Sequence, residues 1–212
     1  MNAEIFLKQR LICVAVIDNA GDAVPLAGAL LAGGLHAIEV TFRTAGAADA
    51  IARIRQALPN AVVGAGTLLT ADQVKQAVDA GAQFGVSPGL SKTVSQAALE
   101  NKFPLFPGVI TPTEVMAALE LGWKHLKFFP AETFGGVHAL KALSGPFGHT
   151  GAKFIPTGGI TAKNLPNYLA IPQVAAIGGS WMADRKLIAE KSWGKITALT
   201  SEAMKVIATA KA

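Results

Sequence analysis

The stretch AIEVTFRTAGAADAIARIRQA, residues 37–57, contains a strand pattern followed directly by a helix pattern. In Ala37–Phe42, apolar and polar residues alternate, as they do in a strand with two different faces. In Ala47–Ala57, the apolar residues recur three to four positions apart, which is the spacing of one helix face. A strand followed closely by a helix is the βα unit from which parallel sheets are built.

The same unit recurs along the chain. Strands are predicted at Leu11–Val16, Ala37–Phe42, Ala61–Gly64, Phe84–Ser87, Leu105–Phe106, His125–Phe129, Lys153–Pro156 and Val174–Ile177. Helices are predicted near Asp22–Ala32, Ala47–Ala57, Ala71–Ala80, Lys92–Glu100, Pro112–Glu120, Val137–Ala142, Ala162–Leu169 and Trp193–Ala210. Eight consecutive βα units predict a closed (β/α)₈ TIM barrel, in an α/β single domain over residues 1–212, with a short N-terminal helix closing its bottom. An open doubly wound sheet is the alternative, because it uses the same units.

The composition narrows the class of protein. With 51% hydrophobic and 16% charged residues, the chain is too apolar for disorder. Its longest uncharged apolar stretch, residues 23–38, is broken by glycines and a proline and is too short to span a membrane. The N-terminal apolar run has no cleavage site after it, so we expect a cytoplasmic protein. The only cysteine, Cys13, lies in a strand pattern and is expected to be buried.

The net charge of +5 comes from cations scattered singly along the chain. Nucleic-acid binding would need a concentrated basic face, so a small anionic molecule is the expected partner. The four histidines have no metal-ligand spacing, and no dinucleotide-binding or Walker A motif is present in the sequence. We therefore expect neither a metal nor a cofactor.

Alternate side chains of a barrel strand face the helices and the barrel interior. The apolar residues of the second predicted strand suit the helical layer, which leaves Glu39, Thr41 and Arg43 facing inward, with Arg43 nearest the carboxyl end. In the sixth predicted strand, the apolar Leu126 and Phe128 likewise suit the helical layer, which leaves Lys127 and Phe129 facing the interior. Each interior layer is formed by alternate strands, so Glu39 and Lys127 are expected to share one layer.

A lysine and a glutamate buried together form either a structural ion pair or a catalytic pair. A lysine amine can attack a carbonyl to form a Schiff base, and a nearby carboxylate can transfer protons during imine formation. Desolvation favours the neutral amine, whereas an ionised Glu39 favours the ammonium form of Lys127. The sequence leaves open which effect is larger.

Two glycine pairs follow the last two predicted strands: Thr157-Gly158-Gly159 after the seventh, and Gly178-Gly179-Ser180 after the eighth. The corresponding loops of this fold frequently bind phosphate. Glycines let backbone N–H groups approach an anion closely, and a serine hydroxyl adds a donor. The two segments therefore predict a phosphate site. The strand-end motifs GAGT at 64–67 and SPG at 87–89 fit either a tight turn or a substrate contact.

Several of these segments resemble the 2-keto-3-deoxy-6-phosphogluconate (KDPG) aldolases, also called 4-hydroxy-2-oxoglutarate (KHG) aldolases. The resemblance begins with GLHAIEVTFR at 34–43 and with the segment from Gly122 through Lys127-Phe128-Phe129-Pro130-Ala131 to Gly135. It continues in GAGT at 64–67, SPGL at 87–90, PTGGI at 156–160 and GGSW at 178–181. It extends over nearly the whole chain.

The resemblance implies a class I lyase of the Entner–Doudoroff pathway, usually a homotrimer, that cleaves 2-dehydro-3-deoxy-6-phosphogluconate to pyruvate and D-glyceraldehyde 3-phosphate. It leaves open whether 4-hydroxy-2-oxoglutarate or the galactose-derived epimer is also accepted. Lys127 would be the Schiff-base lysine and Glu39 the proton-transfer residue. The pyruvate half of the substrate would contact Arg43, Thr67, Pro88 and Phe129. The phosphate end would contact Thr157, Gly158, Gly159, Gly178, Gly179 and Ser180.

Two other function classes remain open from the residues alone. A phosphosugar isomerase or epimerase would use the phosphate loops and Glu39 as a base, with no amine nucleophile. A basic binding module would hold Lys127 and Glu39 only as ions of its core.

Overall fold

The computed structural model describes residues 4–210, in which parallel strands form a ring surrounded by helices. The strands are β1 (Leu11–Ala15), β2 (Ala37–Thr41), β3 (Val62–Gly66), β4 (Phe84–Val86), β5 (Leu105–Phe106), β6 (Gly108–Val109), β7 (His125–Phe128), β8 (Lys153–Pro156) and β9 (Ile177–Gly179). The α-helices are α1 (Glu4–Gln9), α2 (Ala23–Ala32), α3 (Ala47–Ala57), α4 (Ala71–Asp79), α5 (Lys92–Glu100), α6 (Pro112–Glu120), α7 (Gly136–Ser144), α8 (Leu165–Leu169), α9 (Arg185–Ala189) and α10 (Trp193–Thr209). Short 3-10 helices span Ala20–Asp22, Gly145–Thr150 and Trp181–Ala183.

The strands form a closed barrel. They pair in the order β5-β4-β3-β2-β1-β9 and β6-β7-β8. Leu11 of the first strand pairs with Ile177 of the last, and a bridge between Thr157 and Gly178 joins the two series on one side. On the other side β5 continues into β6 through Pro107, whose carbonyl accepts a hydrogen bond from the N–H of residue 127. The predicted (β/α)₈ barrel is confirmed, and the open sheet is excluded because the first and last strands are paired.

Capping residues and glycines determine where several helices begin and end. Thr111 and Glu114 form a capping box at the start of α6, with a proline in its first turn. Gly34, Gly81 and Gly122 have positive φ where helices turn into the next strand, a conformation that glycine adopts at little cost.

Some predicted boundaries are wrong. The third strand runs two residues beyond Gly64, because glycines in β3 leave room for side chains of neighbouring strands. The last strand begins at Ile177, where the prediction ended it, and Val174 makes only one bridge, to Phe154. The apolar run Val174–Ile177 suggested an earlier strand, since the sequence does not reveal that the glycines after it pair with β1.

Two helices of the structure also differ from the prediction. Helix α8 begins at Leu165 rather than Ala162, because the Asn164 side chain accepts a hydrogen bond from the N–H of Thr161 and forms a turn there. Helix α9 was not predicted at all.

The apolar core lies between the strands and the helices. Ile38 and Val40 of β2 face this layer together with Ile51 and Ile54 of α3, and all four are at most 1% exposed. Cys13 is fully buried as predicted, and burial, with a smaller contribution from the charge of Glu39, raises the pKa of its thiol. No helix formed by residues 4–210 is long and apolar enough to cross a membrane.

Candidate active site

A cavity of about 610 Å³ opens at the carboxyl ends of the strands. This is the pole at which TIM barrels bind their substrates, and the volume suits a small molecule. Every candidate site residue named from the sequence lines this cavity. The lining residues are Val14, Val16, Glu39, Thr41, Arg43, Thr67, Pro88, Lys127, Phe129, Thr157, Gly158, Gly159, Ile160, Gly178, Gly179, Ser180, Ala183, Asp184 and Arg185.

Lys127 and Glu39 meet at the floor of the cavity. The distance between Lys127 Nζ and Glu39 Oε1 is 3.5 Å, and the two side chains are 7% and 3% exposed. The shared layer predicted from strand alternation is therefore present. Glu39 Oε1 accepts no hydrogen bond from any residue in the described part of the chain. This oxygen is itself buried, and Lys127 Nζ faces it.

Phe129 forms a wall beside the amine. Lys127 Nζ lies 5.0 Å from the centroid of the Phe129 ring, a distance at which the ring face attracts a cation. Phe129 follows β7 directly, so the spacing of two residues puts both side chains on the inner face of one strand. The ring limits the positions that the amine can adopt.

Two consecutive glycines shape the loop after β8. Gly158 and Gly159 have φ angles of +100° and +78°, which glycine adopts at little cost. The N–H groups of Ala131 and Glu132 bond the carbonyls of Thr157 and Gly158, at 2.8 and 3.1 Å. The loop is thus fixed to the chain that follows β7.

The second glycine pair differs from its prediction, because Gly178 and Gly179 lie inside β9 and not after it. The Thr157 side chain occupies the space beside Gly178, and the ring of Trp181 occupies the space beside Gly179. These glycines are needed for close packing. Only Ser180 of this segment follows the strand, where it is exposed.

A buried tyrosine, Tyr168, lies behind the loop after β8, and no motif in the sequence pointed to it. The Tyr168 hydroxyl donates a hydrogen bond to Glu132 Oε1, although the two residues are 36 positions apart. Burial, together with Glu132, raises the pKa of Tyr168. A Cβ built at Gly159 would lie 2.7 Å from Glu132 Cβ, so Gly159 packs directly against the Glu132 side chain. The hydrogen bond from Tyr168 holds that side chain in place.

An ion pair lies at the mouth of the cavity. Arg185 at the start of α9 donates two hydrogen bonds to Asp18, from Nε at 2.6 Å and from Nη2 at 2.5 Å. These bonds lower the pKa of Asp18. Arg185 was not predicted as a site residue, because α9 was not predicted and the partner of Arg185 lies 167 positions away.

Other lining residues were also missed. Val14 lies in β1 and Val16 follows it two positions later, so both side chains face the cavity. Residues 11–16 are all apolar, so polarity could not show which of them face inward. Thr41 was assigned to the interior but given no role, and its hydroxyl donates to the Ala15 carbonyl at 3.0 Å. Within residues 4–210, no group of three or more His, Cys, Asp or Glu side chains could hold a metal ion.

The chain resembles known proteins in family, in sequence and in solved structure. Residues 3–199 match the family described as "Aldolase: KDPG and KHG aldolase". The chain is 45% identical to a 2-dehydro-3-deoxy-phosphogluconate aldolase of Treponema pallidum, over 96% of each chain. It is 46% identical to the KHG/KDPG aldolase of Escherichia coli K12, over 90% of this chain and 89% of the other. Among solved structures, a Legionella pneumophila KDPG aldolase, with pyruvate captured as a covalent carbinolamine, superposes with a TM-score of 0.88 at 43% identity, over 93% and 95% of the chains.

Proposed function

The chain belongs to the KDPG and KHG aldolase family, and we propose that it cleaves 2-dehydro-3-deoxy-6-phosphogluconate to pyruvate and D-glyceraldehyde 3-phosphate through an imine on Lys127. The observation that carries the proposal is the 3.5 Å approach of Lys127 Nζ to Glu39 Oε1, with both side chains buried at the floor of the cavity. A Legionella relative holds pyruvate as a covalent carbinolamine, which is the first intermediate of this chemistry.

In the first step the neutral amine of Lys127 attacks C2 of the keto acid and forms a carbinolamine. Loss of water from the carbinolamine gives a protonated imine. The hydroxyl must be protonated before it leaves, and Glu39 is the acid within reach of Nζ. The protonated imine then serves as the electron sink.

In the second step a base removes the proton of the C4 hydroxyl, and the C3–C4 bond breaks. The bonding electrons move into the imine, which becomes an enamine, and the aldehyde leaves as glyceraldehyde 3-phosphate. Glu39 Oε1 has no hydrogen-bond partner among the described residues and suits this proton transfer. Protonation of the enamine at C3 and hydrolysis of the imine release pyruvate and free Lys127.

The two ends of the cavity differ in chemistry. Arg43 follows β2 at the cavity mouth and would bind the substrate carboxylate, with Thr67, Pro88 and Phe129 around the pyruvate half. Thr67 has a φ of +57°, rare for a β-branched residue and typical of functional sites.

At the opposite side, the phosphate would meet the loop after β8 and the end of β9. Thr157, Gly158, Gly159 and Ser180 would supply the donors there, with Gly178 and Gly179 beneath them.

We extend the proposal to 4-hydroxy-2-oxoglutarate, which shares the keto-acid half of the larger substrate and lacks its phosphate. The Escherichia coli relative is named for both substrates. The homotrimer implied by the family resemblance and the cytoplasmic location expected from the sequence remain proposals. Nothing in the site favours the isomerase or the binding module over the aldolase.

Borohydride reduction in the presence of pyruvate tests the proposal. We expect a stable adduct on Lys127, located by peptide mapping, because only an amine facing a carbonyl pocket forms a reducible imine. Lys127→Ala should abolish labelling, whereas Lys124→Ala, at an exposed lysine just before the same strand, should keep it. An unlabelled wild-type protein, or an adduct on another lysine, would contradict the mechanism.

A further inference from the structure

The Arg185–Asp18 pair joins the segments that follow two neighbouring strands. Asp18 comes after β1, and Arg185 comes after β9, which pairs with β1. The Arg185 side chain is 61% exposed and the Asp18 side chain is 51% exposed, so water reaches both. The guanidinium uses two N–H donors for Asp18, and its other donors have no partner within residues 4–210. Arg185 therefore retains free donors while it lines the cavity.

The cations of the cavity wall lie on different sides. Lys127 is paired with Glu39 at the floor, and Arg43 follows β2 on the side of the pyruvate half. Arg185 follows β9, whose Gly178 bridges to Thr157 of the phosphate loop. Lys127 also lies near the glycine loop, because β7 pairs with β8, but it is buried and paired with Glu39. Arg185 is the exposed cation among the lining residues whose strand is bridged to that loop.

We propose that Arg185 is a specificity-determining residue that binds the substrate phosphate, and that Asp18 holds its guanidinium when the cavity is empty and competes with the phosphate for it. The inference rests on the proposed function, because the phosphate is that of the proposed substrate. Substrate binding would exchange one bidentate partner of Arg185 for another.

The relative strengths of the two contacts allow this exchange. Although the Arg185–Asp18 pair is bidentate, both side chains are more than half exposed, so water screens the charges and competes for both groups. A phosphate carries more charge and three acceptor oxygens, and the planar guanidinium matches its geometry with two parallel hydrogen bonds. Asp18 is thus a partner that phosphate can replace, and its charge reduces the affinity for phosphate.

Opposite effects of the two single variants test the proposal. With the phosphorylated substrate, Arg185→Gln should raise KM about tenfold, whereas Asp18→Asn should lower KM about twofold to fivefold, as expected when an exposed pair is released. With 4-hydroxy-2-oxoglutarate, both variants should keep the wild-type KM. Competition by inorganic phosphate should follow the same order, weakest in Arg185→Gln and strongest in Asp18→Asn.

Arg53 and Asp49 on α3 provide a matched control. They form a similar two-oxygen pair at 3.0 and 2.9 Å, with side chains 53% and 54% exposed, outside the cavity. Arg53→Gln and Asp49→Asn should leave KM for both substrates unchanged.

A pair that only fastens α9 to β1 would give another pattern, in which Arg185→Gln and Asp18→Asn change both substrates in the same direction. That result, or unchanged phosphate competition in Arg185→Gln, would overturn the inference. Pyruvate trapping on Lys127 involves no phosphate, so its loss in the wild-type protein would instead count against the aldolase function.

Discussion

Gly66 lies directly against the side chain of Glu39. A Cβ atom built at position 66 would lie 2.6 Å from Glu39 Cγ and 2.7 Å from its Cδ, closer than real Cβ atoms approach. The contact arises because Gly66 is the last residue of β3 and pairs with Thr41, two residues beyond Glu39 on β2. The Glu39 carboxylate therefore occupies space that a side chain at position 66 would fill.

This contact predicts that Gly66→Ala disturbs catalysis through Glu39. The added methyl group should push the carboxylate away from Lys127, and a misplacement of about 1 Å can lower the cleavage rate about 10²-fold. Steady-state kinetics, with thermal unfolding to show that the variant is folded, measures the effect. Gly28→Ala is the control, because a Cβ there meets nothing within 4 Å. Wild-type turnover in a folded Gly66→Ala protein would contradict this role of the glycine.

Glu39→Gln separates proton transfer from ion pairing. The substitution keeps the size of the side chain but removes its basicity. We expect pyruvate to be trapped on Lys127 by borohydride, more slowly than in the wild type. Cleavage, and exchange of the pyruvate methyl protons with solvent, should fall about 10²- to 10⁴-fold, the range for a lost general acid–base.

The same preparation tests the purely structural role. If Glu39 served only as the counter-ion of Lys127, its neutralisation would leave a buried cation unpaired and lower the free energy of unfolding by about 3–5 kcal/mol. A strongly destabilised variant whose folded fraction exchanges methyl protons at the wild-type rate would reduce Glu39 to that role.

Ser180→Ala tests the phosphate end of the cavity. Loss of a hydrogen-bond donor to a charged group typically costs about 1.5–3 kcal/mol, which corresponds to about a tenfold to hundredfold rise in KM for the phosphorylated substrate. KM for 4-hydroxy-2-oxoglutarate should stay unchanged, because that molecule has no phosphate. Ser192→Ala is a suitable control, since Ser192 lies outside the cavity and its side chain makes no cap hydrogen bond. Equal changes for both substrates would show that Ser180 does not contact phosphate.

Local patterns were sufficient to predict most of the barrel and the central pair. Alternation along β2 and β7 identified the inward faces of Glu39 and Lys127, and the layering of barrel strands placed them together. These features repeat within a few residues of sequence and depend only on the period of the strand.

The missed features depend on contacts between distant parts of the chain. Tyr168 and Glu132 are 36 positions apart, and Arg185 and Asp18 are 167 apart, so no local pattern links either pair. Gly178 was assigned to a loop because glycine is typical of turns. Its position inside β9 comes from pairing with Ile12 of β1, a distant contact that the sequence around Gly178 does not show.

The capping box of α6 predicts how the stability of the fold changes at acidic pH. Glu114 Oε2 accepts hydrogen bonds from the N–H groups of Ile110 and Thr111, each at 2.8 Å. Burial alone would raise the pKa of Glu114, but these hydrogen bonds outweigh it and hold the pKa below the ordinary value of 4.5. The carboxylate form therefore stabilises the fold above that ordinary value, and its contribution is lost as the pH falls through the lower pKa of the folded state.

Glu114→Ala should accordingly lower the free energy of unfolding by about 1 kcal/mol at pH 7, because the N–H groups of Ile110 and Thr111 lose their acceptor. The difference from the wild type should shrink as the pH is lowered toward 3, because protonation then weakens the same hydrogen bonds in the wild-type protein. Urea unfolding at both pH values measures it, with Glu120→Ala, at an exposed residue of the same helix, as the control. A difference that stays constant between the two pH values would show that packing of the Glu114 side chain, and not its charge, stabilises the start of α6.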